Sequence, residues 1–121
     1  MAKNLEISIL FDFYGDMLTD KQRNMVEYYY NDDLSLAEIA ENEGITRQGV
    51  RDSIKRAESQ LLDMEDRLGL ARRFNEMKSG FESIRNAANN IREYNGRYGR
   101  SRDIEECAVR ILDISRHLCE L

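Results

Sequence analysis

The sequence predicts an all-α fold: a helix-turn-helix domain followed by long helices that close into a C-terminal helical pair. Three observations predict it. The 121 residues include no proline and only seven glycines, with 34% charged and 41% hydrophobic side chains, a composition that favours helix throughout. Apolar residues recur at steps of three and four over most of the chain, the period of an amphipathic helix. Thr19, Ser35, Thr46 and Ser101 each stand directly ahead of such a stretch, where a hydroxyl can cap the free amides of a helix start.

The elements follow in order. A first helix spans Leu5 to Tyr14 with a broad apolar face, and Gly15 is expected to end it. Thr19 with Gln22 three residues on has capping-box spacing and opens a second helix that runs through Val26 and Tyr29 to about Asn31. Asp32 and Asp33 form a link. Ser35 with Glu38 opens the third helix, which Gly44 ends, and Thr46 caps a fourth helix beginning at Arg47. Val50, Ile54, Ala57, Leu61, Met64, Leu68 and Ala71 then make a heptad seam. A second seam runs Phe74, Met77, Phe81, Ile84, Ala88 and Ile91, out of phase with the first, so a break or bend is expected beside Gly69. Residues 95–101, NGRYGRS, read as a loop. Ile104, Cys107, Ile111, Ile114 and Leu118 form the seam of a last helix capped by Ser101. Residues 1–69 are therefore expected to form the helix-turn-helix domain. Residues 70–121 are expected to form a helical extension that serves dimerisation.

Residues 35–58, SLAEIAENEGITRQGVRDSIKRAE, carry the function. Two helices that cross steeply need a small residue where they touch, and Ala40 sits there. The turn between them needs positive φ, and Gly44 supplies it four residues later. Ile45 plugs the turn. Val50 and Ile54, with Leu36 and Ile39, complete the apolar set, and Ser35 and Thr46 cap the two helices. An ordinary helical hairpin would need neither the small residue at 40 nor any particular chemistry on the solvent face.

With Val50, Ile54 and Ala57 turned inward, Arg47, Gln48, Arg51, Asp52 and Lys55 share one solvent stripe at ~100° per residue. Arginine and glutamine can make paired hydrogen bonds to guanine and adenine edges, and aspartate can accept from cytosine. Lys55 and Arg56 suit phosphates, which position without specifying. The competing reading is a solvated charged face. Gly49 lies inside this helix at a cost of ~1 kcal/mol relative to alanine, either to admit a close partner or as neutral drift.

SLAEIAENEGITRQGVR resembles region 4 of bacterial sigma factors, where the corresponding helix reads the −35 promoter element. Residues 10–58, with the following LLDME, resemble the YlxM family, small helix-turn-helix proteins of Firmicutes and relatives. The likeness rests on Phe11 to Tyr14, Leu18-Thr19, Lys21-Gln22-Arg23, Tyr28 to Tyr30 and Ile54-Lys55-Arg56. It covers roughly the first 70 residues, and the tail from Phe74 adds no named likeness. The family resemblance implies DNA binding and, from the usual neighbourhood of its genes, a link to the signal recognition particle pathway. Carried over by position, Arg47, Gln48, Arg51 and Asp52 fill the base-reading places. Ser53 and Asp52 depart from the usual sigma pattern, so the usual −35 specificity is not implied. Nothing resembles the sigma segments that melt DNA.

Charge and composition bound the alternatives. The net charge is −5. Residues 1–46 carry three basic and ten acidic side chains, residues 47–80 eight and six, and residues 81–121 seven of each. The acidic balance thus sits in the first third, which keeps open a second reading: an accessory protein of the signal recognition particle acting through protein or RNA contacts. Arg97, Arg100 and Arg102 around Tyr98 make a basic loop that suits either salt bridges or a nucleic-acid backbone. One histidine and no nucleophile constellation argue against an enzyme, and no cofactor, metal or small-molecule substrate is expected. Cys107, His117 and Cys119 are too few, and on one helix, for a metal site. Two cysteines, no signal peptide and no membrane-length apolar run predict a cytoplasmic protein with reduced thiols. Leu61, Met64, Leu68 and Phe74 need a cover beyond the first helix, and a homodimer is expected to supply it; the alternative is a monomer whose first helix and tail fold back over the seam.

Overall fold

The computed structural model describes residues 1–120, and among them it has six α-helices and no strand. Helix α1 is Leu5–Tyr14, α2 Asp20–Val26, α3 Leu36–Glu43, α4 Arg47–Leu68, α5 Leu70–Tyr94 and α6 Arg102–Cys119. Met1–Ala71 forms one compact unit and the residues from Arg72 onward a second.

In the first unit, α4 is the common support. Its first half sends Val50 and Ile54 into a cluster with Met25, Tyr29, Ile39 and Ala40. Its second half sends Ala57 and Leu61 into a cluster with Ile7, Leu10, Phe11, Tyr14, Leu18, Val26 and Ala71. Burying each such large aliphatic side chain stabilises by roughly 1.5–3 kcal/mol. Leu61 is fully buried and Met64 packs on the same cluster, so α1 covers this part of the seam and Leu61 needs no second chain. Leu68 stays 45% exposed.

The helix starts are built as the hydroxyl spacing predicts. Thr19 with Gln22 and Ser35 with Glu38 form reciprocal capping boxes. The first helix ends at Gly15 as expected, though not through a left-handed cap. Gly15 is right-handed (φ −56°), and the chain passes into a 3-10 turn over Gly15–Met17. What needs glycine there is space, because a Cβ would lie 3.0 Å from the Phe11 ring. The second helix also does not run to Asn31 as regular α-helix. Glu27–Asn31 is a π-helical turn, and its wider winding brings three consecutive tyrosines to the core, Tyr29 buried and Tyr28 and Tyr30 half-buried. Lys3 caps this region by pairing with Asp33 and lying 4.9 Å from the centre of the Tyr29 ring.

Gly69 ends α4 in the left-handed conformation (φ 64°), so the phase slip between the two seams is a real helix break. The start of α5 borrows its hydrogen-bond acceptors from elsewhere. The Leu70 amide donates to the Tyr14 hydroxyl at 3.0 Å and the Ala71 amide to Glu65 Oε1 at 3.1 Å.

In the second unit, α5 and α6 are joined by a turn built around Asn95. Its side chain donates to the Ser101 carbonyl and accepts from the Ser101 amide, both at 2.8 Å. Residues 95–99 form a π-helical turn rather than an irregular loop, closed by Arg100 at φ 49°. Arg92 on α5 reaches Glu105 on α6 at 2.8 Å. Among the described residues no helix is long and apolar enough to cross a membrane.

Candidate nucleic-acid interface

The helix-turn-helix geometry is set by a few residues between α3 and α4. Ser35 accepts from the Glu38 amide at 3.1 Å and Thr46 from the Gly49 amide at 2.9 Å, fixing both helix starts. Gly44 sits at φ 68° in the left-handed region. The Ala40 carbonyl accepts from the amides of Gly44 and Ile45, which locks the turn onto the end of α3. Ala40 is 7% exposed, Val50 and Ile54 are fully buried, and half-buried Ile45 packs on the same cluster.

This core fixes which side of α4 is free. Arg47, Gln48, Arg51, Asp52, Lys55 and Arg56 are all exposed. Two of them are tied together, since Gln48 Nε2 donates to Asp52 Oδ1 at 2.9 Å, one helical turn apart. Among the described residues, Arg47, Arg51, Lys55 and Arg56 make no ion pair; several cations elsewhere, among them Lys21, Arg85 and Arg110, make none either, so what marks these four is their grouping on one exposed side of α4. In the basic loop, Arg97 is held by Glu93 and Arg102 by Glu106, which gives that loop a structural role for two of its three cations.

A shallow groove of about 480 Å³ runs beside this face, bordered by Asp52, Ser53 and Arg56 of α4 and by Thr19, Lys21 and Gln22 at the start of α2. Lys21, which the family likeness singles out but the spacing of α4 does not, joins this rim. It lies outside the 35–58 segment, and only the folding of α2 against α4 brings it to the same rim. Gly49 also borders the groove. An added Cβ there would lie 3.2 Å from the Thr46 hydroxyl, a tight contact, although Gln22 and Glu38 carry a side chain at the same position of the Thr19 and Ser35 caps.

These elements define a helix-turn-helix protein that carries an additional helical hairpin. The family profile UPF0122, described as "Putative helix-turn-helix protein, YlxM / p13 like", matches residues 1–97, and the chain belongs to this family. It is 44% identical over 117 residues to a UPF0122 protein of Thermoanaerobacter sp. (strain X514), covering 97% of this chain and 94% of that one. It is 46% identical over 87 residues to a UPF0122 protein of Shouchella clausii, covering 72% and 80%. A UPF0122 protein of Desulforamulus reducens is 50% identical over 80 residues, covering 65% of this chain and 68% of that one. The likeness therefore extends well past Phe74, beyond the first 70 residues whose motifs carry it. The tail carries heptad seams but no local motif, and a seam alone names no family.

Proposed function

We propose that this protein binds double-stranded DNA through the exposed side of α4 and acts in the cytoplasm as a regulatory protein, not as an enzyme. The single observation that carries the reading is the set of four cations, Arg47, Arg51, Lys55 and Arg56, exposed without ion-pair partners among the described residues on the second helix of a helix-turn-helix. Arg47 and Arg51 read base edges in the major groove, with Gln48 and Asp52 acting as one hydrogen-bonded unit. Lys55 and Arg56 hold phosphates. A homodimer would present two such helices to a paired half-site.

A second reading is favoured by the net charge of −5, with ten acidic and three basic side chains in residues 1–46. In it the chain is an accessory protein of the signal recognition particle, acting through protein or RNA contacts rather than duplex DNA. Selection from a random duplex library at low salt separates the two. The DNA reading predicts enrichment of a common sequence, lost in Arg51→Ala. A pull-down whose captured partner survives nuclease treatment, with no duplex enrichment, supports the accessory reading.

A further inference from the structure

The α5–α6 hairpin is too thin to bury its own apolar stripes. The most buried residues along the line where the two helices meet are small: Ala88, Ala108 and Ser115 are 1–3% exposed. The large residues stand beside that line. On α6, the buried or half-buried positions Glu105, Ala108, Leu112, Ser115 and Cys119 recur at steps of three and four, and so do Ile104, Cys107, Ile111, Ile114 and Leu118. At ~100° per residue the second set, one residue back from the first throughout, is turned about 100° from it. Its apolar stripe therefore faces sideways, along one flank of the contact with α5.

The stripe of α5 borders the same groove. Ile91 lines an apolar cleft of about 210 Å³ together with Ile104, Cys107 and Ile111 of α6. At the other end of the hairpin, Met77 and Phe81 line a cleft with Leu118. The two stripes thus form one continuous side of the hairpin.

The exposed area is what a self-association needs. Ile84, Ile91, Ile104, Ile111, Ile114 and Leu118 are 39–55% exposed. Taking about 150–200 Å² for a large apolar residue in the open, at the low end of the aromatic range, these six leave at most roughly 400–500 Å² per chain, or about 800–1,000 Å² in a pair. A standard interface buries about 1,600 Å² in total, a little over half of it apolar, so the six residues alone match its apolar share. Gly80 points the same way. It lies mid-helix between Met77 and Ile84, where glycine costs ~1 kcal/mol, yet a Cβ would meet nothing within 4 Å inside the chain. A second helix approaching that side would use the space.

We infer that this side of the hairpin is the interface with a second copy of the chain, two hairpins closing face to face into a four-helix bundle with the isoleucine stripes as its core. The occupant is another hairpin of the same kind because the stripe is heptad-spaced on both helices, and knobs at that spacing are filled by helices of matching period. Of the two places where self-association is expected, the α4 seam and residues 70–121, only the second is left needing a cover, since α1 already covers Leu61. The inference deepens the DNA reading, resting on it for the use of a second recognition helix but not for the interface itself.

The test is sedimentation equilibrium of the full chain without DNA at micromolar concentration. The parent should run at about twice 14.2 kDa. The pair Ile111→Glu/Ile114→Glu should run as a monomer with unchanged helix content. Both side chains are already half-open, so the fold does not depend on them, while a closed bundle would bury four added carboxylates and weaken by on the order of a hundredfold or more. Should the glutamates disturb helix content, the milder pair Ile111→Gln/Ile114→Gln should still weaken association measurably. Leu62→Glu, on an exposed position of α4, should leave the mass unchanged. A monomeric parent overturns the inference, and so does a dimer that both isoleucine pairs leave intact. Because no DNA is present, a parent that dimerises but binds no duplex sinks the α4 reading alone, and one that binds duplex as a monomer sinks this one alone.

Discussion

The Tyr14 hydroxyl donates to Glu65 Oε1 at 2.7 Å across 51 residues of sequence. The same two groups accept the Leu70 and Ala71 amides. A helix start normally takes its cap from the residue just before it. Here that residue is Gly69, committed to the left-handed turn that ends α4, so the acceptors come from the end of α1 and the last turn but one of α4. One pair of side chains fastens the first helix, the long helix and the break between α4 and α5.

Tyr14→Phe should therefore destabilise the first unit by about 1–3 kcal/mol, because the Leu70 amide and the Glu65 carboxylate each lose a partner in a partly buried setting. Denaturant unfolding followed by circular dichroism checks it. A variant with the parent's midpoint would show that water replaces the hydroxyl without loss.

The same tyrosines set an alkaline limit. Burial, reinforced by the Glu65 bond, raises the Tyr14 phenol above its ordinary value of 10.0. Burial also pushes Tyr30 up to about 12, with a further rise from its bond to Glu58. A group whose pKa is raised on folding contributes stability in full below its unfolded value and loses it as pH climbs through the folded one. Stability should hold up to about pH 10 and fall between about 10 and 12. In an ultraviolet titration of the six tyrosines, Tyr14 and Tyr30 should ionise late and together with unfolding. Six phenols titrating as one near their ordinary value, with the fold intact, would contradict this.

Ala40→Leu should cost about 1–3 kcal/mol, because added volume at a 7%-exposed position inside the helix-turn-helix cluster strains its neighbours. Thermal unfolding reads it directly. An unchanged melting temperature would mean that the crossing of α3 and α4 has room to spare at this residue.

Gly44→Ala isolates the backbone. No atom lies within 4 Å of the added Cβ, so the whole cost is that of holding φ 68° with a side chain, about 1–2 kcal/mol. Gly44→Asn should recover part of it, since asparagine tolerates that conformation better. Equal losses for both variants would point to a clash instead of strain.

The local features were the legible ones. Capping at Thr19 and Ser35, the turn glycine at 44 and the phase slip at Gly69 all depend on residues within a few positions of one another, and spacing alone specifies them. The Tyr14–Glu65 bond was not legible, because periodicity places both residues on helices but cannot say which faces meet. For the same reason spacing leaves two covers open for Leu61, the first helix or a second chain, and it is α1 that supplies it. The π-helical turn over Glu27–Asn31 leaves no mark in composition; three adjacent tyrosines fit a regular helix only with one of them pointing away. On α4, spacing could order the side chains around the helix, but not show that Gln48 and Asp52 bind each other or that Lys21 joins the rim from α2.

The central claim is that the exposed cations of α4 hold duplex DNA. Fluorescence anisotropy with a labelled duplex across a range of salt concentrations tests it most directly. The parent should bind at low salt and weaken linearly in the logarithm of salt concentration. Arg51→Ala and Lys55→Ala should each bind more weakly, and loss of the Lys55 phosphate contact should flatten the salt slope by about one unit. Arg67→Ala, removing a cation already paired with Asp63 on α4, should change neither. Absence of binding to any duplex at low salt, or binding that Arg51→Ala and Lys55→Ala leave untouched, would contradict the account.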